Sequence, residues 1–452
     1  TLDGNLNSNM NVVIIDRDGL WFTSDSVIDV NGLIATTGDV AKNDLMNGDN
    51  VLKIKNINPN SMIINNGQIT AKDFAVLAGG NVWNTGTIVT EAGGQILLAA
   101  AEQVKMVSGR HGRDRFKIDL REGGHVINTG IMDAGNGGLA AIVSPFAINN
   151  GIIRAKAGTV AIAAGETVTL DMYGDGLVEL AVDGELADAL ITNGGAIAAK
   201  GGVVNITAKA AKNTVDNLIN NEGIITASSA TVSGGKIILG GGDSGTIRNA
   251  GEIRTSAGGS VDVNGERFLQ ESASSAPIPP TVPAIKSGGA NINIATAGDV
   301  VIDAGNVNAQ GGNVAITNDG TFTSEANAIR TRGTGTITLT QNEGGQIQNA
   351  IDAIKNSGTG ENAVKVGAGT YNEAVVADVE NLNLRGANAG VSGISIRGAE
   401  SIIIPNSPGV HVTSDNVTVN GFKIVGGDDG IYVESADNVS IINNIVEDSN
   451  DN

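Results

Sequence analysis

The chain has no cysteine among its 452 residues. That excludes a disulfide framework and cysteine-ligated zinc. Histidine is nearly missing too: His111, His125 and His411 lie far apart and read as surface or turn residues. Aromatic residues make up only 3 %, so a globular core built on large rings is not expected. Val, Ile, Leu and Ala must supply a thin interior, as in stacked coils. No run of eighteen apolar residues occurs, so no membrane-spanning helix is predicted. The opening Thr1-Leu2-Asp3-Gly4 lacks the charged start and apolar stretch of a signal peptide. Cations number 28 against 48 acids, a formal charge of −20. Such a surface repels nucleic acid and anionic membranes.

What the chain does have is glycine and a repeated phrase. Gly is 64 of 452 residues, about twice its average share. Hydrophobic content of 41 % is too high for a disordered chain. Residues 61–100 state the phrase: an Asn-x-Gly step, a short alternating run, a Gly-Gly step, and the same again. Short alternating apolar runs are strand behaviour. Gly and Asn are expected where the chain turns sharply with positive φ. A period of about twenty residues is that of a solenoid. Asn-x-Gly steps recur at Gly67, Gly86, Gly130 and Gly151. The long interval from Gly86 to Gly130 reads as two coils of about 22 residues with an insertion. The phrase continues at Asn193, Asn221 and Asn249.

The first residues carry a family resemblance. Leu2-Asp3-Gly4-Asn5-Leu6-Asn7-Ser8-Asn9 leads into Val12-Val13-Ile14-Ile15 and then Asp16-Arg17-Asp18-Gly19-Leu20-Trp21-Phe22. Val27-Ile28-Asp29-Val30-Asn31-Gly32-Leu33-Ile34-Ala35-Thr36-Thr37 follows. This resembles the secretion domain of filamentous haemagglutinin-type exoproteins of the two-partner-secretion class, and the likeness extends over residues 1–260. In that family the turn reads Asn-Pro-Asn-Gly; Asp16 stands for the first Asn here, and the turn geometry should survive. More of the family domain precedes the I-x-G-x-L run. The resemblance therefore implies that the element engaging an outer-membrane transporter is incomplete in this chain.

Two insertions interrupt the coils. Lys105–Arg121 holds Arg110, His111, Arg113, Arg115 and Lys117, the main basic patch. It reads either as a contact for an anionic surface glycan or as a solvated hairpin whose charges protect a sheet edge. Residues 170–186 read as a second extruded hairpin turning at Met172–Leu177. Residues 268–289 hold four of the eight prolines, between Pro277 and Pro283, and read as a stiff linker or a loop on the solenoid flank.

Residues 346–356 are the one clear helical signal, with Ile347, Ala350, Ile351 and Ile354 on one face. The run Val364-x-Val366-Gly367-x-Gly369-x-Tyr371-x-Glu373 follows. Helix and run together resemble the start of a pectin-lyase-like β-helix module over residues 343–452, in which a helix covers the first coil. Rungs are expected at 381–384, 401–404, 416–419 and 438–441. The chain stops just after a rung, so the natural protein is expected to continue.

Catalytic signals are sparse. Asp428-Asp429 within Gly427–Ile431 resembles the G-D-D turn of polygalacturonase-like hydrolases, whose carboxylates act as acid and base. The partner step one rung earlier reads Asn406-Ser407-Pro408-Gly409, with proline where the acid should be. Asp, Asn and Gly at turns could supply oxygens to calcium. Hydrogen-bonded turns and stacked Asn ladders account for the same residues, and no cofactor is expected.

The expected fold is all-β, a right-handed parallel β-helix with extruded hairpins and one capping-type helix. About 20 coils at ~4.8 Å per coil would run on the order of 100 Å. The expected organisation is a haemagglutinin-type β-helix over 1–267, the proline-rich segment 268–289, further coils over 290–342 and the pectin-lyase-like module over 343–452. The expected role is a non-catalytic adhesin or exoprotein, secreted or on a bacterial cell surface. Its partners would be an outer-membrane transporter during export and a host or neighbouring cell-surface glycan or protein, with no nucleic acid. Two alternatives stand beside it: a filament subunit joined by head-to-tail self-association, and a polysaccharide hydrolase or lyase.

Overall fold

The computed structural model describes residues 1–46, 51–107, 115–172, 178–184, 186–187, 189–210, 218–227, 234–243, 245–256, 258–272, 283–406 and 408–449. The turn expected at Met172–Leu177 and the prolines from Pro277 to Pro280 fall largely or wholly outside them. The chain divides into two compact units, Thr1–Gly259 and Ser260–Asn452. Both are built of parallel β-coils.

In the first unit each coil has three short strands, and each strand pairs in parallel with its counterparts in neighbouring coils. One column runs through Leu20–Phe22, Met62–Asn65, Asn81–Asn84, His125–Asn128, Phe146–Asn149, Leu190–Asn193, Ile219–Asn221 and Thr246–Asn249. A second includes Val27–Val30, Gln68–Ala71, Thr87–Thr90, Ile131–Asp133 and Ile152–Arg154. A third includes Gly32–Thr36, Phe74–Gly79, Gln95–Ala100, Leu139–Val143 and Thr159–Ala164. The first residues make a coil of their own: Asn5–Asn7 and Asn11–Ile15 pair in parallel with the strand Val27–Thr36. The following turn closes as expected for Asp in place of Asn, with the Asp18 N–H donating to Asp16 Oδ1 at 3.1 Å.

The Asn-x-Gly phrase has two jobs. Its Asn points inward and is buried. Asn65, Asn84, Asn128, Asn149, Asn193, Asn221 and Asn249 form a ladder in which each Nδ2 donates to the next Oδ1 at 2.8 Å. The ladder begins at Asn65 because Phe22 holds the equivalent place in the coil before it. Asn65 Oδ1 is left buried without a partner. The glycine of the phrase does not adopt positive φ, contrary to the expectation from sequence. It is required by close approach instead. A Cβ on Gly86 would lie 2.1 Å from the Gly67 carbonyl oxygen, and one on Gly130 2.0 Å from that of Gly86. Positive φ occurs instead at the first residue of several Gly-Gly steps, as at Gly93, φ 77°, and Gly123, φ 78°.

The 44-residue interval between Asn84 and Asn128 is one coil, not two. Val82 pairs directly with Val126, and the surplus residues leave the coil as antiparallel strands. The interval from Asn149 to Asn193 is built the same way, with Ala147 paired to Ile191.

In the second unit, parallel pairing links Ser260–Gly265, Ile292–Thr296, Val314–Asn318, Ile337–Gln341, Asn362–Val366 and Leu382–Arg385 in succession. The pairing therefore runs on across residue 343. The helix Ile347–Ala353 is an insert within this stack, with Ile347, Ala350, Ile351 and Ile354 all buried. The Asn349 Oδ1 accepts from the Ser324 N–H at 2.8 Å, tying the helix to the coil before it. The Glu373 carboxylate accepts from the N–H groups of Ile347 and Gln348 at 2.7 and 3.0 Å, capping the helix from the following coil. Tyr371 is buried, and its hydroxyl donates to the Gly367 carbonyl at 3.0 Å. Tyr371 and Glu373 of the run therefore serve packing and capping.

Three outcomes follow. Asn128→Ala leaves the Asn84 donor and the Asn149 acceptor buried and unpaired, and each orphaned group costs about 1–3 kcal/mol; urea unfolding should show a loss of that order. Glu373→Ala should cost about 0.5–2 kcal/mol, as for other lost caps. Burial pushes the Glu373 carboxyl up from its usual value, against the two N–H donors that pull it down. A raised folded-state pKa gives a contribution that is full at low pH and lost as pH rises through that value. The stability difference between the native chain and Glu373→Gln should therefore fall as pH rises from the ordinary carboxylate range.

Candidate functional site

The strands that leave the coils in the first unit meet on one flank. Asp39–Val40, Val51–Lys55, the distal half of Gln95–Val107, Arg115–Leu120, Thr167–Met172 and Val178–Asp183 pair in that order, all antiparallel. The two hairpins expected separately at 105–121 and 170–186 are thus neighbours in one sheet. They join through Arg115–Asp119 against Thr167–Asp171.

Alternation decides which way each residue of this sheet faces. Ile54, Val104, Met106, Phe116, Ile118, Leu120, Val168, Leu170 and Val182 are buried and form its inner face. Lys55, Lys105, Arg115 and Lys117 are exposed and Lys53 is half-buried on the outer face. Arg115 lies 3.3 Å from Asp171, and Lys117 is 3.9 Å from Asp119. Asp119 also accepts from Gln103 Nε2 at 2.8 Å and from the Thr167 hydroxyl at 2.9 Å.

Of the basic residues singled out in the sequence, Arg115 and Lys117 stand on this sheet. Arg110, His111 and Arg113 lie outside the described residues. Lys53 and Lys55 were not legible as part of the patch. Their own alternating segment, Val51-Leu52-Lys53-Ile54-Lys55, announces a strand with a basic face, but only strand pairing puts it beside Lys105.

The acidic pair stands elsewhere. Asp428 is exposed and Asp429 half-buried at the turn before Ile431–Val433. The Asp429 carbonyl accepts from the Gly409 N–H at 2.8 Å, a rung-to-rung bond. Among the described residues no group of three or more His, Asp or Glu could hold a metal ion. His125 stacks on Phe146, ring centroids 4.8 Å apart, and His411 lies 3.0 Å from Glu434. Both are outward strand residues rather than turn residues.

The fold and this flank define a parallel β-helix bearing an extruded antiparallel sheet. No family model matches the chain. It is 33 % identical over 105 residues to the heme/hemopexin-binding protein of Haemophilus influenzae (strain ATCC 51907 / DSM 11121 / KW20 / Rd). That match covers 22 % of this chain and 12 % of the relative, so the similarity concerns a small part of a much longer protein. The crystal structure of the HMW1 secretion domain from Haemophilus influenzae aligns over 99 % of this chain and 91 % of that one. The TM-score is 0.29 and the identity 13 %, values that support no inference about this chain.

The extruded sheet should depend on its inner face. Phe116 is fully buried at the centre of that face, and Phe116→Ala should cost about 3–5 kcal/mol. Hydrogen exchange should show the loss of protection concentrated in residues 103–107, 115–120 and 167–171.

Proposed function

We infer that this chain is part of a bacterial exoprotein of the two-partner-secretion, haemagglutinin type, secreted or held at the cell surface. Its coils act as a scaffold and its extruded sheet as a binding surface. The observation that carries this reading is the way the motif residues at the start of the chain are used. Leu2 to Ile15 form a first parallel coil against Leu20–Thr36. The resembling residues thus form a parallel coil continuous with the stack, which supports reading them as a segment of a secretion domain of that type.

The match to a protein named for binding heme and hemopexin supports a binding role over a catalytic one. So does the use of the polar repeat residues, since the Asn column is spent on internal hydrogen bonds. Binding of a host protein or a surface glycan is the role this scaffold supports best.

Antibody labelling of intact, unpermeabilised cells and immunoblotting of culture supernatant test the reading. The protein is expected at the surface or in the medium; confinement to the cytosol would overturn it. A parallel assay on polygalacturonate should show no cleavage. Cleavage abolished by Asp428→Asn or Asp429→Asn would replace the binding role with an enzymatic one.

A further inference from the structure

The outer face of the first column of coils in unit Thr1–Gly259 differs in composition from the surface beside it. Trp21, Ile64, Trp83, Ile127 and Ile148 point outward in one row, each opposite the next. A second row next to it holds Met62, Asn81, His125 and Phe146. The His125 main-chain N–H donates to Asn81 Oδ1 at 3.2 Å, and its ring stacks on Phe146, so this row is ordered from coil to coil as well. Leu190 and Thr192 carry both rows into the next coil. These outward residues include no Asp, Glu, Lys or Arg. The uncharged strip ends at Asn220 and Arg248, where buried Arg248 pairs with Glu222 at 2.9 Å. The second column, by contrast, turns Asp29, Asp133 and Arg154 outward. Both tryptophans of the chain stand on the strip. Trp21 is 47 % exposed, and Trp83 and Met62 are each 41 % exposed. Holding that much apolar surface in water is unfavourable.

We propose that this strip pairs side by side with the same strip of a second copy of the chain, giving a two-fold dimer. Charge selects the partner. Each copy carries −20, so two copies repel wherever acids meet. On this strip they approach with no like charges opposed. A two-fold contact sets a patch against itself, and an uncharged apolar face is complementary to itself. Asn66, Thr85, Thr129 and Asn150 border it at the following turns, which gives the apolar centre and polar rim of a protein interface. Trp83 lies mid-strip, the residue type and the place that dominate such contacts. Size sets the strength. Five coil steps of about 4.8 Å make a strip about 24 Å long. An apolar patch of a few hundred Å² marks an interaction site but falls short of the roughly 800 Å² per partner of a stable complex. The dimer is therefore reversible and depends on concentration. Pairing of flanks closes at two copies, unlike head-to-tail joining of coil ends. It stands independently of the surface-exoprotein reading.

The test is sedimentation equilibrium of the full chain over a wide concentration range, with tryptophan emission recorded on the same samples. A monomer–dimer equilibrium is expected, strengthened by salt, which screens the net charge. Because both tryptophans report from the strip, emission should move to the blue with the same midpoint as the mass. Ile127→Lys lowers the net charge and would favour a non-specific contact, yet it should raise the dimer Kd about tenfold or more. Trp83→Ala adds no charge and should do the same, with circular dichroism unchanged in both variants. Ile224→Lys makes the same change at an exposed isoleucine of the second column and should leave the Kd within a factor of about two. A chain that stays monomeric up to its solubility limit, or that grows past the dimer, overturns the proposal. So does a dimer with unshifted emission, one that salt dissociates, or one that Ile224→Lys weakens equally. Neutral phosphatidylcholine vesicles and cellohexaose are the comparison arms. A blue shift of the monomer on either, with no dimer formed, assigns the strip to lipid or sugar and overturns the pairing.

Discussion

The constraint on which the first unit depends is that successive coils must sit one strand spacing apart, about 4.8 Å, at every turn as well as every strand. The seven buried asparagines meet it by hydrogen bonding to one another at 2.8 Å from coil to coil. An amide suits the place because it donates and accepts along one line, so a single residue type repeats without a mismatch. The glycine two residues on meets the same constraint by subtraction. At Gly86, Gly130 and Gly151 the neighbouring coil's carbonyl oxygen lies where a Cβ would be. Asn and Gly are coupled: the ladder brings the turns together, and the missing side chain lets them approach.

That regularity is what allows departures. Because pairing at Val82–Val126 and Ala147–Ile191 preserves the stack, a coil can send twenty or so residues outward and return in register. Two such excursions, with Val51–Lys55, make a sheet with its own apolar face. The helix Ile347–Ala353 is a third departure of a different kind. Its first N–H groups have no partner within the helix, and Glu373 of the following coil supplies one. In each case the polar requirement created by leaving the coil is met by a residue of another coil.

Much of this was readable in advance, and the misses share one cause. Period and alternation announced parallel coils, and the 346–356 pattern announced a helix whose four apolar residues are indeed buried. The 44-residue interval looks like two coils in the sequence because a hairpin and a coil have the same alternation and similar length. The positive-φ assignment failed at Gly86 and Gly130 because a close approach between coils leaves no trace in local conformation. Arg115 and Lys117 stand out as a basic patch in the sequence, whereas Lys53 and Lys55 do not, since they lie some fifty residues earlier.

Sequence by itself determined the repeat: which residues turn inward, where each coil bends, and that Asn and Gly must recur at one position. These follow from local rules, because period-two alternation and the demands of a turn act within a few residues. Only tertiary structure decided what stands next to what. It made the asparagines a ladder, assigned Glu373 to a helix twenty-six residues before it, and set Lys53, Lys105 and Lys117 in one row. Pairing between distant strands fixes neighbours across the sheet, and a residue's charge or hydrogen-bonding capacity does not reveal which distant strand will lie beside it.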